Sequence, residues 1–254
     1  MLKISIITVS FNSASTIEET INSVLSQDYP NIEYIIVDGL SHDNTIDIVK
    51  KYANLFNGRL KFVHEKDKGI YDAMNKGILL ATGDIIGILN SDDFFTNDSV
   101  ISNVAQAFLD TLVKVVFGDI HFFTSNNSAK SIRKYSGKTF RPWMFRFGFM
   151  PPHPSFFVRK DLYDKFGVYD VSFDISGDYE LMVRFLYVNK LKYRYLNVDM
   201  VAMRIGGAST KSIKTLIIDN NQNVIKACRS NGVYTNIIMV STRYVQKILE
   251  IIFR

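Results

Sequence analysis

Cysteine is nearly missing: Cys228 is the only one in 254 residues. No internal disulfide can form, which suits a reducing compartment. A buried thiol without chemistry is the plain reading of such a lone cysteine. Long apolar runs are missing as well, and no stretch approaches the roughly 20 residues that span a bilayer. The run Ile4 to Val9 is too short for a signal sequence and is followed at once by Ser10 and Asn12. The expectation is therefore a cytoplasmic protein, free or held at the inner face of the cell membrane. There is no internal repeat and no low-complexity tract.

What is present is a core-forming composition. Hydrophobic residues make up 47% and aromatics 13%, enough for one large α/β domain with or without a small appendage. That content argues against wholesale disorder. A net charge of +5 favours anionic partners: nucleic acid, a phosphorylated ligand or an anionic membrane. No nucleic-acid recognition motif occurs, so nucleic acid is not expected as a partner.

The first half alternates strand and helix patterns. Ile4 to Val9, Tyr34 to Val37, Leu60 to Val63 and Ile85 to Leu89 read as buried strands. Between them lie helical faces: Ile17, Ile21, Val24 and Leu25, then Ile48, Val49, Tyr52, Leu55 and Phe56, then Met74 to Leu80. Ser15 is expected to cap the first helix, with Glu18 in the capping-box position. The alternation predicts an α/β fold, a mostly parallel central sheet with helices on both faces. Ligands of such sheets bind beyond the carboxyl ends of the strands. Asn12, Asp38 and Asp92-Asp93 each follow a predicted strand and should converge there. The second half is less regular, with strands expected at Val113 to Phe117 and Lys192 to Val198 and helices at 177–189, 211–229 and 235–253.

Several stretches have the residue types that chemistry needs. Asn90-Ser91-Asp92-Asp93 closes a strongly apolar strand with two carboxylates. Oxygen ligands of this kind suit hard cations, although Asp and Asn also favour plain turns. Asp38 could accept hydrogen bonds from a nucleotide, while Asp43 or Asn44 could cap the next helix. The segment Lys66 to Gly77 lacks the spacing of a phosphate-binding glycine loop. It reads either as a solvated helix entry or as a placement of Asp72 and Lys76 at the ligand edge. Ser176-Gly177-Asp178-Tyr179-Glu180 precedes an apolar helical run. Asp178 could take a proton from a sugar hydroxyl or simply favour a helix N-terminus. The aromatic stretch Phe140 to Met150, with Trp143, is either core or a surface for a sugar ring or lipid. His153 could reach an acceptor pocket or serve packing. Arg204 and Ser209, flanking Gly206-Gly207, could belong to a loop that closes over a diphosphate.

Taken in order, these residues resemble family 2 glycosyltransferases of the GT-A fold. The resemblance is carried by Ile6 to Asn12, Val37-Asp38-Gly39 with Ser41, Asp43 and Thr45, Gly69 to Gly77, Gly83-Asp84 through Asp93, and Gly177 to Glu180. It covers about residues 1–207 and is similar above all to the bacterial branch that builds colanic acid, capsule and O-antigen. The resemblance implies an inverting transfer from a UDP- or GDP-sugar to a saccharide or lipid-linked saccharide. The segment Thr8, Val9, Ser10 and Asn12, with Asp38, would surround the base and ribose. Asp92 and Asp93 would be the Asp-x-Asp element, with Ser91 in its first acidic place and Asp93 the direct ligand of Mn2+ or Mg2+. Asp178 matches the catalytic base, with Glu180 beside it. Gly177 stands where many relatives carry Glu, and Gly39 where some carry a second Asp. The division implied is a catalytic domain at 1–207, with a nucleotide-binding half at 1–93 and an acceptor half at 94–207, followed by a helical extension at 208–254. A sugar-nucleotide-binding protein without catalysis and a nucleotidyltransferase are the alternatives.

The extension has its own pattern. Ile237, Ile238, Val245, Ile248, Leu249 and Ile252 recur at helical spacing, and Arg243, Lys247 and Arg254 form a basic stripe beside them. Such a helix can lie on an anionic membrane or pack on the domain or a second subunit, which leaves a homodimer open.

Overall fold

The structure, a computed structural model, describes residues 1–124, 131–205 and 213–252. Four strands, β1 (Ile4–Ser10), β2 (Ile32–Asp38), β3 (Leu60–His64) and β4 (Ile85–Ile88), pair in parallel in the order β3-β2-β1-β4. β1 and β2 are buried along their whole length, which is why they read as apolar runs without alternation. Their side chains still divide by the strand period of two. Ile4 and Ile6 meet the inner faces of α1 (Ile17–Leu25) and α2 (Thr45–Ala53), whereas Ile7 and Val9 meet α3 (Ile70–Leu80) on the other side.

Beyond β4 come β5 (Phe94–Phe95), α4 (Val100–Ala107), β6 (Val115–Phe123), β7 (Arg133–Tyr135), β8 (Phe157–Arg159), α5 (Asp161–Phe166), α6 (Gly177–Met182), β9 (Tyr193–Arg204), α7 (Ile213–Ser230) and α8 (Ile237–Ile252). The sheet continues β4-β8-β6-β9-β5, with β7 on β6. β6 and β9 are parallel, while the β4–β8, β6–β8, β5–β9 and β6–β7 pairs are antiparallel. The sheet is thus parallel through its first half and mixed beyond it. The expected strand at Val113 to Phe117 runs on to Phe123 because β9 pairs with it over that length. The helix expected at 177–189 is α6 followed by a π-helical turn at Val183–Val188. Cys228 is buried, as a packing residue would be.

Two expectations need correction. The cap of α1 is Thr16, with no side-chain cap bond. The Ser13 carbonyl accepts the Thr16 and Ile17 N–H groups instead. Glu18 is drawn away to α2, where Lys51 and Tyr52 donate to it. The second correction concerns α8, which packs on α7 and on a 3-10 helix at Pro142–Phe147. Arg243 does not lie in a solvent-facing stripe. It is 8% exposed and donates to Gly148 O and Asn221 Oδ1. Ile237 and Ile238 are exposed, Val240 is buried, and the side chains of Val245, Lys247, Ile248, Leu249, Ile252 and Arg254 lie outside the described residues, as do Gly206, Gly207 and Ser209. No described helix is long and apolar enough to cross a membrane.

Candidate active site

The loops after β1, β2 and β4 are stitched together at one end of the sheet. The Asn12 N–H donates to Ser41 Oγ at 2.8 Å, Ser10 Oγ donates to Asp38, and Ser13 Oγ lies 2.8 Å from Ser91 Oγ. Asp43 accepts from the Ala14 and Thr45 N–H groups and so ties the first two loops rather than only ending α2. Asn12 and Leu40 carry positive φ here without being glycine, a backbone strain that recurs at ligand sites.

Asp38 is central to this knot and is wholly buried. Ser41 donates to it from both N–H and hydroxyl, Ser10 donates as well, and His64 Nδ1 lies 2.7 Å away. Burial pushes its pKa up, yet the bonds from Ser41, His64 and Ser10 outweigh it and hold the carboxyl below its usual range. These contacts tie the loops after β1 and β2 to the end of β3. Thr8 is also interior, accepting from the Tyr34 hydroxyl, and Val9 is core. What faces outward beside them is Phe11, 60% exposed, and Asp67, whose carboxylate occupies the place that a Cβ on Gly39 would take. Asp67 lies within the Lys66 to Gly77 stretch, but its approach to Gly39 has no local signal. Asp72 and Lys76 pair with each other, and Lys76 also pairs with Glu65.

Asp92 and Asp93 follow β4. Burial raises the pKa of Asp92, and burial followed by the Asp92 charge pushes Asp93 up to about 8. Asp93 is 1% exposed. One of its oxygens accepts from the Arg204 N–H at 3.1 Å and the other from Asn90 Nδ2 at 3.4 Å. Asn90 Oδ1 and Arg204 Nε are buried with no hydrogen-bond partner among the described residues. The Arg204 guanidinium bonds Glu19 and lies over the Phe123 ring. A buried carboxyl and a half-buried neighbour that disfavour each other's charge, beside an amide oxygen with no partner among the described residues, suit a divalent cation. Among the described residues no group of three or more His, Cys, Asp or Glu side chains is gathered for a metal. The donor set therefore fits a cation that shares its shell with phosphate and water oxygens.

A cavity of about 880 Å³ opens beside this pair; Asn90 and Asp178 both line it. Asp178 is in the first turn of α6, preceded by Ser176 at φ 71°. Its Oδ1 accepts from the Tyr71 hydroxyl at 3.3 Å and from the Tyr179 N–H. Tyr71 stacks on Tyr169, whose hydroxyl lies 2.8 Å from His153 Nε2. Burial holds the His153 pKa below the usual imidazole range, so its ring is neutral at pH 7. The departure at Gly177 has a steric cause. A Cβ there would lie 2.8 Å from the Tyr71 ring, so only glycine lets Tyr71 reach Asp178. Tyr71 and Asp178 are 107 residues apart in sequence, and no local pattern joins them.

The remaining candidates divide. Of the aromatic stretch, Phe140 and Phe145 are core, while Met144, Phe149 and Met150 line the cavity. Trp143 stands outside it, 58% exposed and edge-on to Phe147. Glu180 is not brought to the cavity. Its carboxylate is taken up by Arg184 and Asn231 in a buried brace under α6.

A curled α/β sheet with paired carboxylates after the fourth strand, and a further carboxylate across a cavity, defines a glycosyltransferase of the GT-A fold. The family model for glycosyl transferase family 2 matches residues 5–173, and the chain belongs to that family. An uncharacterized glycosyltransferase of Mycobacterium tuberculosis is 33% identical over 198 residues, covering 71% of this chain and 68% of that protein. A PGL/p-HBAD biosynthesis glycosyltransferase of Mycobacterium bovis is 28% identical over 211 residues, covering 82% of this chain and 79% of its own. Among solved structures, residues 1–349 of Staphylococcus aureus TarS in complex with UDP-GlcNAc align with TM-score 0.67 at 19% identity, covering 88% of this chain and 67% of that one. The chain spans 40% of the longer TarS structure. The mannosyltransferase PcManGT of Pyrobaculum calidifontis, in complex with GDP-Man and Mn2+, aligns with TM-score 0.59 at 17% identity, covering 98% of this chain and 81% of that one.

Proposed function

We propose that the chain transfers a sugar, with inversion, from a UDP- or GDP-sugar to a hydroxyl of a saccharide or lipid-linked saccharide in the synthesis of a bacterial surface polysaccharide. The observation that carries this is one cavity bordered at one place by Asp178 and at another by Asn90, the partner of Asp93. The nucleotide would lie over the loops that Asp38 organises, against Phe11 and Asp67. Asp92 and Asp93 would hold Mn2+ or Mg2+, whose charge would balance the departing diphosphate. Asp178 would take the proton of the acceptor hydroxyl as that oxygen attacks the anomeric carbon from the face opposite the nucleotide. Tyr71 would hold the Asp178 carboxylate in place. One displacement suffices, so no second carboxylate is needed as a nucleophile. Residues 1–93 would serve the donor, 94–207 the acceptor, and 208–254 would wall the acceptor side. The setting in which such acceptors occur is the inner face of the cell membrane.

Support comes from relatives. The TarS and PcManGT structures contain UDP-GlcNAc and GDP-Man respectively, and a Bacillus subtilis relative, 39% identical over 98 residues, is named for teichuronic acid biosynthesis. The test is a screen of UDP- and GDP-sugars for nucleotide release with Mn2+ or Mg2+, with products read by mass. Release from one nucleotide class, abolished by chelation and by Asp93→Ala, is the expected result. Full activity in excess chelator would exclude the metal part of the proposal.

A further inference from the structure

Among the described residues that line the cavity read as the acceptor site, Asp178 is the only acid, and Lys134 and Arg243 are cations. His153 is neutral. Arg243 is the unusual member, because it is 8% exposed and yet has no carboxylate partner among the described residues. Its contacts are neutral: Gly148 O at 3.3 Å, Asn221 Oδ1 at 2.6 Å and the Tyr244 hydroxyl at 3.1 Å. Its Nε–H is buried with no partner among the described residues. A buried cation without a counter-charge is costly, and an orphaned donor adds to that cost. The surroundings nevertheless keep room for it. A Cβ on Gly148, which has φ +77°, would lie 3.0 Å from Arg243 Cδ and 3.1 Å from a terminal guanidinium nitrogen. The hydroxyl of Tyr135, another lining residue, lies within the electrostatic reach of Arg133, Arg243 and Asp178 together, so the cations share one region with the proposed base.

We infer that the part of the cavity walled by Arg243 and Lys134 takes an anionic group on the acceptor, a phosphate or a carboxylate. The inference rests on reading this cavity as the acceptor site. An anion there would supply the missing counter-charge and an acceptor for the free N–H, which is the form of recognition that guanidinium groups favour. The neutral partners of Arg243 hold the group in place without neutralising it.

The test uses the full chain with UDP and Mn2+ present, so that added anions do not enter the donor end. Glucose 1-phosphate, glucuronate and glucose are titrated by calorimetry, and UDP is titrated separately. One or both anions should bind roughly tenfold or more tightly than glucose, the scale of a charge-assisted pair, and the stronger of the two identifies phosphate or carboxylate. Arg243→Gln should remove most of that preference, Arg243→Lys should keep part of it, and UDP affinity should be unchanged in both. Should Arg243→Gln not fold, Lys134→Gln, on an exposed strand position, should weaken the anion at low salt and converge with the unaltered protein at high salt. Equal binding of all three sugars, no binding by either anion, or a folded Arg243→Gln that keeps the preference would overturn the inference, as would a Lys134→Gln indistinguishable at low salt. Loss of UDP binding in the unaltered protein would count against the transferase reading instead.

Discussion

Replacing Asp93 by Asn should stabilise the metal-free protein at alkaline pH. The Asp93 carboxyl has a pKa of about 8 in the fold against 3.8 for an unperturbed group. The native state therefore binds more protons than the unfolded state between about pH 4 and pH 8, and metal-free stability should fall as pH rises through that window. Linkage sets a ceiling of about 5 kcal/mol at pH 8 for a displacement from 3.8 to about 8. Water entry and relaxation reduce it, and about 2 kcal/mol is expected, or roughly 4 to 8 °C in Tm at this chain length. The substitution keeps the shape of the side chain, and its amide oxygen can still accept the Arg204 N–H, the bond that Asp93 makes at 3.1 Å. The charge is therefore what changes. The assay is thermal unfolding from pH 5 to 8.5, in chelator and in Mn2+. The unaltered protein in chelator should lose stability with rising pH, less so after Asp93→Asn, with a residual slope from Asp92, and Mn2+ should restore only the unaltered protein. Identical pH profiles for the two proteins in chelator would refute the reasoning.

Three further outcomes follow from other residues. Asp178→Asn should lower kcat by about 10²-fold or more, the scale of general-base catalysis, with UDP affinity by calorimetry unchanged; loss of UDP binding instead would make Asp178 a donor-site residue. Gly177→Ala should displace the Tyr71 ring, from which a Cβ would lie 2.8 Å; a loss of about 1–3 kcal/mol by denaturant unfolding and a fall in kcat are expected, and neither should accompany Gly58→Ala, where a Cβ meets nothing within 4 Å, beyond the strain of its positive φ. Glu33 is 3% exposed and binds Lys3, Lys61, Ser5 and Thr82. Burial raises its pKa, but the bonds from Lys61, Ser5 and Thr82 win and leave it strongly lowered. Its stabilisation is present above about pH 4.5 and lost as pH falls below that; Glu33→Gln should cost about 2–4 kcal/mol at pH 7 and flatten the acid limb of the unfolding curve.

Residue order alone was enough for the first half of the sheet. β1, β2 and β4 are apolar runs because both faces are covered, and a run of that kind is visible without knowing what covers it. Strand ends were visible too, since Asn12, Asp38 and the Asp92-Asp93 pair interrupt those runs abruptly. Which of these side chains turn inward was not visible. Asp38 and Asp93 are both buried acids after a strand, yet one is held by Ser10, Ser41 and His64 while the other faces a second carboxylate. That difference is made by partners 28, 3, 26 and 1 residues away, brought together only by folding. The same holds for Gly177, whose meaning depends on the Tyr71 ring, and for Arg243. On a helical wheel Arg243 belongs to a basic stripe, and in the fold it is a buried cation on a cavity wall. Periodicity reports which residues share a face of one element; which neighbour that face meets depends on contacts between elements distant in sequence, and those decide whether a charge is solvated, paired or left waiting for a ligand.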